Sequence, residues 1–398
     1  MRILYVTTTF PVLTETFLQR EARAFREIGV DLKIVSLHRG ERAFEGLPIE
    51  RFSKWRLLTL LWRLPLVLAC HWSAVSTILR PMWTKLPANP MNMWENLLGF
   101  GAAIAMEREI RAIEADCIHC VWACAPASFG WLAKAMTGIP FTTGAHAYDI
   151  FEDGGDWFLS EKLGEASLVH VSTEVAGRRV VEFCSSEKVM LVRRGMNEFP
   201  GYKRLRESRA PLRVISIARL VEKKGFPFQL SVYVELMKRG IAFEALIVGD
   251  GPLRAEIEEG IARLGLAGVV RLAGRLSQKE TLERLQWADV FVHTGMIAKS
   301  GDRDGLPNVI PEAMASGVVV VGTPVSGVVE AIIDGETGLL REANPGPWAE
   351  ALNEIANDDV LADRLRRGGR AWVEANFRAS ENSRRLLDRI KASICRRF

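Results

Sequence analysis

Long apolar runs are scarce in this chain of 398 residues. The best span, Leu57 to Leu79, is interrupted by Arg63, Pro65 and His71, whereas a membrane-crossing helix needs about 20 consecutive apolar residues. Cysteine is sparse: six residues with no repeating framework, which excludes a disulfide-stapled secreted scaffold and fits a reducing cytoplasm. The opening MRILYVTTTF reads directly as a strand, with no signal peptide. Low-complexity tracts, short-period repeats and disordered tails are lacking. A net charge of +4 is too mild to imply nucleic acid as a partner. No strand leads into a complete three-glycine dinucleotide fingerprint. IVGDGP supplies Gly249 and Gly251 only, which argues against a nicotinamide dehydrogenase and leaves a loop where backbone can approach a ligand closely.

What is present is an ordinary globular composition, 48% hydrophobic and 25% charged, in a length that suits two domains. RILYVT, DLKIVSL, CIHCVWA, PFTTGAHA, SLVHVST and VMLVRRG alternate with amphipathic segments, including a helix from Thr14 to Ile28 and one from Glu95 to Ala115. After the polar, proline-bracketed stretch 199–211 a second series follows: LRVISIAR, FEALIVGD, VVRLAGR, DVFVHT and VVVVGTP. Strand, helix, strand order predicts parallel sheets with helices on both faces. The expected fold is therefore α/β, two Rossmann-like doubly wound domains facing a cleft. The first spans 1–198, the linker 199–211 and the second domain 212–375. A basic helix follows at 376–398, with Leu386, Leu387 and Ile390 on one face, which either crosses back to the first domain or faces a membrane.

Within the first domain, 40–92 breaks the alternation. Arg51, Lys54, Arg56 and Arg63 are interleaved with Trp55, Trp62, Trp72, Trp83 and leucines, which suits either a helical insertion packed on the sheet or helix lying at a membrane surface. Nucleic-acid binding is the weaker third reading, because no known module surrounds it.

Four places carry candidate chemistry. GDRDGLPNVIPEAMASG holds Asp304 and Glu312 at the two ends of a loop and helix start, with Asn308 as N-cap, Pro311 at the third helical position and Gly317 as the stop. Free amides and two carboxylates there suit a phosphate together with sugar hydroxyls, or simply cap a surface turn. Arg219 and Lys224, just past a strand end, are placed to grip a diphosphate, the alternative being solvated surface charge. His146 follows a strand into a loop with Asp149, as a cleft residue or as a structural histidine. Cys117, Cys120 and Cys124 around His119 invite a metal reading, but they sit on an apparently buried strand, where cysteine behaves as a small hydrophobe.

The series ARLVEKKG, VGDGPLRAEIE, LAGRLSQKE, ADVFVHT, DGLPNVIPEAMASG, GTPVSGVVEAI and DGETGLL closely resembles glycosyltransferase family 4, retaining enzymes of the GT-B fold. The likeness covers the whole second half. TTTFPVLTETFLQREARAFREIG, CIHCVWACAPAS and TTGAHAYDIF look like the branch that builds bacterial exopolysaccharides, the colanic-acid type. The resemblance implies that Arg219 and Lys224 neutralise the donor diphosphate, that Asp304 holds donor-sugar hydroxyls, and that Glu312 holds the nucleotide ribose. It further implies that Gly305, Leu306, Pro307 and Asn308 present amides to the phosphates, that Gly249, Gly251 and Arg275 line the donor site, and that His146 lies near the sugar. No metal or other cofactor is implied. Two positions depart from the pattern. Asp304 stands where the family has glutamate, and the first loop lacks a glycine pair, leaving Thr8, Thr9 and Glu15 to serve there.

The implied reaction is transfer of a hexose from a nucleotide sugar to an acceptor hydroxyl with retained configuration. The implied acceptor is a lipid-linked or growing oligosaccharide docked on the first domain, and the implied place is the cytoplasm, at the inner face of the inner membrane. The competing expectations are a sugar-nucleotide epimerase on the same fold and a non-catalytic, membrane-associated assembly protein.

Overall fold

The computed structural model describes residues 1–12, 15–202, 206 and 210–395. Part of the segment read as linker, 203–205 and 207–209, and the residues 13–14 and 396–398 lie outside the described residues. The chain divides into two compact units, one formed by Met1–Asn197 with Arg378–Phe398 and the other by Glu198–Phe377.

The first unit is built on a sheet of eight strands: β1 Arg2–Thr7, β2 Asp31–Ser36, β3 Ala43–Phe44, β4 Leu47–Arg51, β5 Cys117–Cys120, β6 Phe141–Gly144, β7 Val169–Val171 and β8 Val189–Leu191. They lie in the order β3-β4-β2-β1-β5-β6-β7-β8. All pairings are parallel except β3 with β4. Alternate residues of β1 enter separate apolar clusters, Leu4 and Val6 on one side and Ile3 and Tyr5 on the other. Period-2 alternation into two cores is what a parallel sheet covered on both faces requires. Cys117 and Cys120 likewise divide between the two clusters and pack as small apolar groups.

Two local readings differ. The segment 40–92 is not helical throughout, since β3 and β4 form a hairpin before the helical residues begin at Lys54. Its two-residue turn places Glu45 at φ 48° and Gly46 at φ 81°, the left-handed pair that a tight hairpin demands. The helix expected from Glu95 to Ala115 is two helices, Pro90–Ala105 and Glu107–Ile113, interrupted at Met106.

The second unit is a six-stranded parallel sheet: β9 Leu212–Ile217, β10 Phe243–Val248, β11 Val270–Gly274, β12 Val290–His293, β13 Val319–Gly322 and β14 Leu339–Leu340. Its order is β11-β10-β9-β12-β13-β14. Direction of winding reverses between β9 and β12, and ligands of such sheets bind outside the carboxyl ends of the strands at that switch point. The corresponding point of the first unit lies between β1 and β5.

Candidate functional site

The switch point of the second unit is where the expected donor residues gather. β9 runs out into Ala218–Leu220 and a short turn of 3-10 helix, Glu222–Lys224, ended by Gly225 at φ 66°. A Cβ on Gly225 would lie 2.0 Å from the Thr294 carbonyl oxygen, so glycine is required for the β9 and β12 loops to meet. They are then bonded together: Thr294 Oγ1 donates to the Lys224 carbonyl at 2.9 Å, and the Met296 amide to the Lys223 carbonyl at 2.9 Å. Gly249, past β10 at φ 143°, packs so closely on Ala218 that a Cβ would stand 1.8 Å from its carbonyl oxygen. Backbone thus approaches backbone on both sides of Arg219.

These loops carry the charges. Lys224 Nζ lies 2.6 Å from Asp304 Oδ2, and Lys223 Nζ lies 2.8 Å from Asp302 and 3.7 Å from Asp304. The Asp304 side chain is 16% exposed and that of Lys224 13%. Burial pushes the Asp304 carboxyl up, but Lys224, His293 and Lys223 together outweigh it and hold the group below the usual carboxylate range. His293, the last residue of β12, points Nε2 at Asp304 from 3.6 Å. It is buried, and desolvation pushes its pKa down to about 4, so the imidazole is neutral at pH 7. Arg219 is exposed just past the end of β9.

The remaining second-unit positions are distributed around the sheet edge. Gly251 follows β10, its amide donating to Asp250 Oδ1 at 2.9 Å. Arg275 is exposed just past β11. Gly305 and Asn308 are half-buried, Leu306 and Pro307 buried. The helix they lead into is Val309–Ala315, with Asn308 at its N-cap position in helical backbone and without a side-chain cap bond. Glu312 is half-buried on it, and Gly317 follows at φ 73°.

His146 belongs to the first unit, past the end of β6. Its backbone amide and that of Ala147 donate to Asp149, at 3.1 and 2.8 Å to Oδ1, and the Ala123 amide donates to Oδ2 at 3.1 Å. The buried Asp149 carboxylate therefore knits the loop after β6 to the loop after β5. Around the imidazole stand His170, ring centroid 4.9 Å away, and Trp122 at 5.4 Å. Burial first, then Arg194, His170 and His119, hold His146 well below its ordinary pKa. Arg194 is itself lowered to about 10 by burial, opposed by Glu15 and Glu21, and Glu21 is raised to about 7 by burial. His146, His170, Arg194 and Glu21 line a cavity of about 20 Å³, room on the order of one water.

Potential metal-ligand atoms of Glu21, His119 and His170 fall within 4.8 Å of one another. The Glu21 carboxylate already accepts the Tyr5 hydroxyl at 2.8 Å, and His119 Nδ1 is 2.7 Å from Thr142 Oγ1. Thr8 and Thr9 are half-buried on the loop after β1, and Glu15 begins the helix Thr16–Glu27. His293, Lys223, Asp302 and Arg194 are not among the residues that sequence reasoning singles out. The signal that marks His293 is a polar residue closing the otherwise apolar DVFVHT at a central strand end.

Residues 203–372 match the family described as glycosyl transferases group 1. Residues 203–372 are a glycosyl transferases group 1 domain. Over 98% of both chains the protein is 26% identical to the amylovoran biosynthesis glycosyltransferase AmsK of Erwinia amylovora. It is also 26% identical, over 97% of its length and 98% of the relative's, to WcaL of Salmonella typhimurium, provisionally named a colanic acid biosynthesis glycosyltransferase. Among solved structures, HepE of Anabaena in complex with UDP and glucose superposes with TM-score 0.69 at 17% identity, covering 98% of this chain and 100% of HepE. The chain is a glycosyltransferase, and its two parallel-sheet units are those of the GT-B fold.

Proposed function

We propose that the protein is a retaining transferase of the family 4 type, moving a hexose from a nucleoside diphosphate sugar to a hydroxyl of a lipid-linked or growing saccharide. Its work lies in the assembly of exopolysaccharide or another cell-surface polysaccharide, in the cytoplasm at the inner face of the inner membrane. The names of AmsK and WcaL support the pathway, and the UDP and glucose held by HepE support the donor class.

The observation that carries the chemistry is the 2.6 Å Lys224–Asp304 contact at the β9/β12 switch point, with Arg219 just past the end of β9. As the bond from the anomeric carbon to the diphosphate oxygen breaks, negative charge grows on the leaving group. Fixed cations in a partly desolvated site stabilise that charge where it develops. Lys224 is held in place before the donor arrives, and Asp304, kept ionised by its neighbours, accepts hydrogen bonds from sugar hydroxyls. Glu312 serves the ribose, the amides of Gly305 to Asn308 the phosphates, and Gly249, Gly251 and Arg275 the remaining donor contacts. His146, neutral, donates or accepts at the sugar without carrying charge. The acceptor oxygen attacks the face that the diphosphate leaves, and its proton passes to the departing phosphate oxygen. No protein nucleophile and no metal enter this scheme.

The test is Lys224→Ala and Glu312→Ala, assayed with donor and acceptor and by calorimetry with UDP, GDP and ADP. Both variants should keep their fold and lose about a hundredfold or more in turnover. Unchanged activity in both would overturn the assignment. Conversion of the donor in the absence of acceptor would move the reading to an epimerase, and failure to bind any nucleotide to an assembly protein.

A further inference from the structure

Five tryptophans fall between residues 55 and 94, and none is buried: Trp55 is 80% exposed, Trp62 57%, Trp72 59%, Trp83 88% and Trp94 64%. None of the other six tryptophans is exposed: Trp122, Trp131 and Trp348 are buried, and Trp157, Trp287 and Trp372 half-buried. More than half of the large apolar side chains exposed among the described residues belong to this same stretch, Leu61 and Leu86 included. The segment is not loose surface. Val67, Val75 and Ile78 are buried in the core of the first unit, with Leu57, Leu60 and Leu68 packed against it. One face of these helices is therefore spent on the protein, and the other is apolar too. A helix apolar all round is buried in protein or in lipid.

Charge identifies the partner. From Arg51 to Trp94 the sequence has no aspartate or glutamate, in a chain that holds 48 of them. It has Arg51, Lys54, Arg56, Arg63, Arg80 and Lys85, of which Arg51, Lys54, Arg80 and Lys85 are exposed. Acids from other segments answer two of these cations, Glu161 pairing with Lys85 and Glu109 with Arg56, and Lys54 and Arg80 stay exposed. Indole rings with aliphatic neighbours and such cations match the headgroup level of an anionic bilayer. A second copy of this chain fits less well, because the segment carries no acid of its own, and a self-complementary contact through it would set Lys54 and Arg80 against their own copies. The geometry fits lying in the surface rather than crossing it. Among the described residues no single helix is long and apolar enough to cross a membrane, and Lys54–Cys70 meets Val75–Thr84 at 107°.

We propose that residues 54–94 form a monotopic anchor that buries its tryptophan and leucine face in the interface of an anionic phospholipid bilayer. The inference does not rest on the transferase reading. Its test is flotation of the full-length protein with vesicles of phosphatidylcholine, with or without phosphatidylglycerol, together with the wavelength of tryptophan emission. The wild type should bind the phosphatidylglycerol vesicles, shift its emission to the blue and release as salt rises. Trp83→Ser with Leu86→Ser should weaken binding by roughly tenfold or more, and Lys54→Ser with Arg80→Ser by about fivefold per charge on anionic vesicles only. All four side chains are exposed, so circular dichroism and nucleotide binding should not change, which separates failure here from failure of the proposed reaction. Absence of vesicle binding, binding that ignores the Trp83 and Leu86 changes, or vesicle-free self-association abolished by them would each overturn the proposal.

Discussion

At Asp304, burial and neighbouring charge oppose one another. Desolvation favours the protonated carboxyl, and the lysines and His293 favour the carboxylate and prevail. His293 meets only the first effect in strength, and burial takes it to about 4. The signs agree. A carboxyl lowered by folding loses its stabilising contribution as pH falls through the folded value. An imidazole lowered by folding takes a proton in the unfolded chain near pH 6.5 but not in the folded one until about 4, so acidification between those values favours unfolding. His293→Asn removes that titration. It should flatten the dependence of stability on pH between 6.5 and 4 by on the order of 3 kcal/mol, as measured by urea denaturation at a series of pH values. An unaltered slope would show that His293 is already charged or already solvated. Asp304 and Lys224 are legible in sequence because motif spacing names them. His293 is not, because a lone histidine ending an apolar strand is more often a core residue with its partners satisfied, and only the approach of the loop carrying Asp304 gives it a role.

Among elements, the stretch that breaks the alternation was the hardest to read, for local reasons. The β3–β4 hairpin is concealed because its left-handed turn uses Glu45 where asparagine, aspartate or glycine is usual. The break at Met106 involves neither proline nor glycine, and only Glu107 and Glu109 in the next first turn mark a fresh start. What holds the helix Pro90–Ala105 to its neighbours is also invisible in pattern. Lys162, wholly buried, pairs with Asp156 and donates to Asn96 Oδ1 at 3.0 Å, while Ser128 Oγ donates to Asn96 Oδ1 at 2.5 Å. Residues from four separate segments meet in this network, and no periodicity predicts such a meeting. Asp156→Ala would leave the Lys162 ammonium buried without its counter-ion, and should cost about 3–5 kcal/mol. Asp156→Leu with Lys162→Met should recover part of that loss, since an apolar pair removes the buried charge but leaves the Asn96 amide, which donates to Asp156 at 3.0 Å, short of an acceptor. Chemical denaturation of the three proteins decides it. Equal stability of Asp156→Ala and wild type would mean that water reaches the site.

The whole chain combines two autonomous cores with one non-local closure, and the cores were the legible part. Two runs of alternating strands and helices specify two parallel sheets, because each apolar run is short, separately bounded and buried on both faces. The closure is of another kind. Leu386, Leu387 and Ile390 mark an amphipathic face at sequence level, but a face does not name its partner. In the structure the helix Ala379–Cys395 joins the cluster that contains Ile3, Phe17, Leu18 and Phe25, nearly the full length of the chain away. Backbone contact reinforces the packing: the Ala379 amide donates to the Met196 carbonyl at 3.1 Å, and Asn382 Nδ2 to that of Arg193 at 2.9 Å. A Cβ on Gly195 would stand 2.3 Å from the Ala379 Cα. Each of the three buried aliphatic side chains contributes about 1.5–3 kcal/mol, which together approaches the 5–15 kcal/mol margin typical of a domain. Truncation after Phe377 should therefore unfold or strongly destabilise the first unit and spare Glu198–Phe377, which is continuous and has its own core. The measurement is thermal unfolding with limited proteolysis of the truncated chain, alongside calorimetry with the nucleotide that the full chain binds. Protease should digest the first unit and leave a fragment near Glu198–Phe377 that still binds nucleotide. A truncated chain melting as the full one does would show that the last helix rests on the first unit without supporting it.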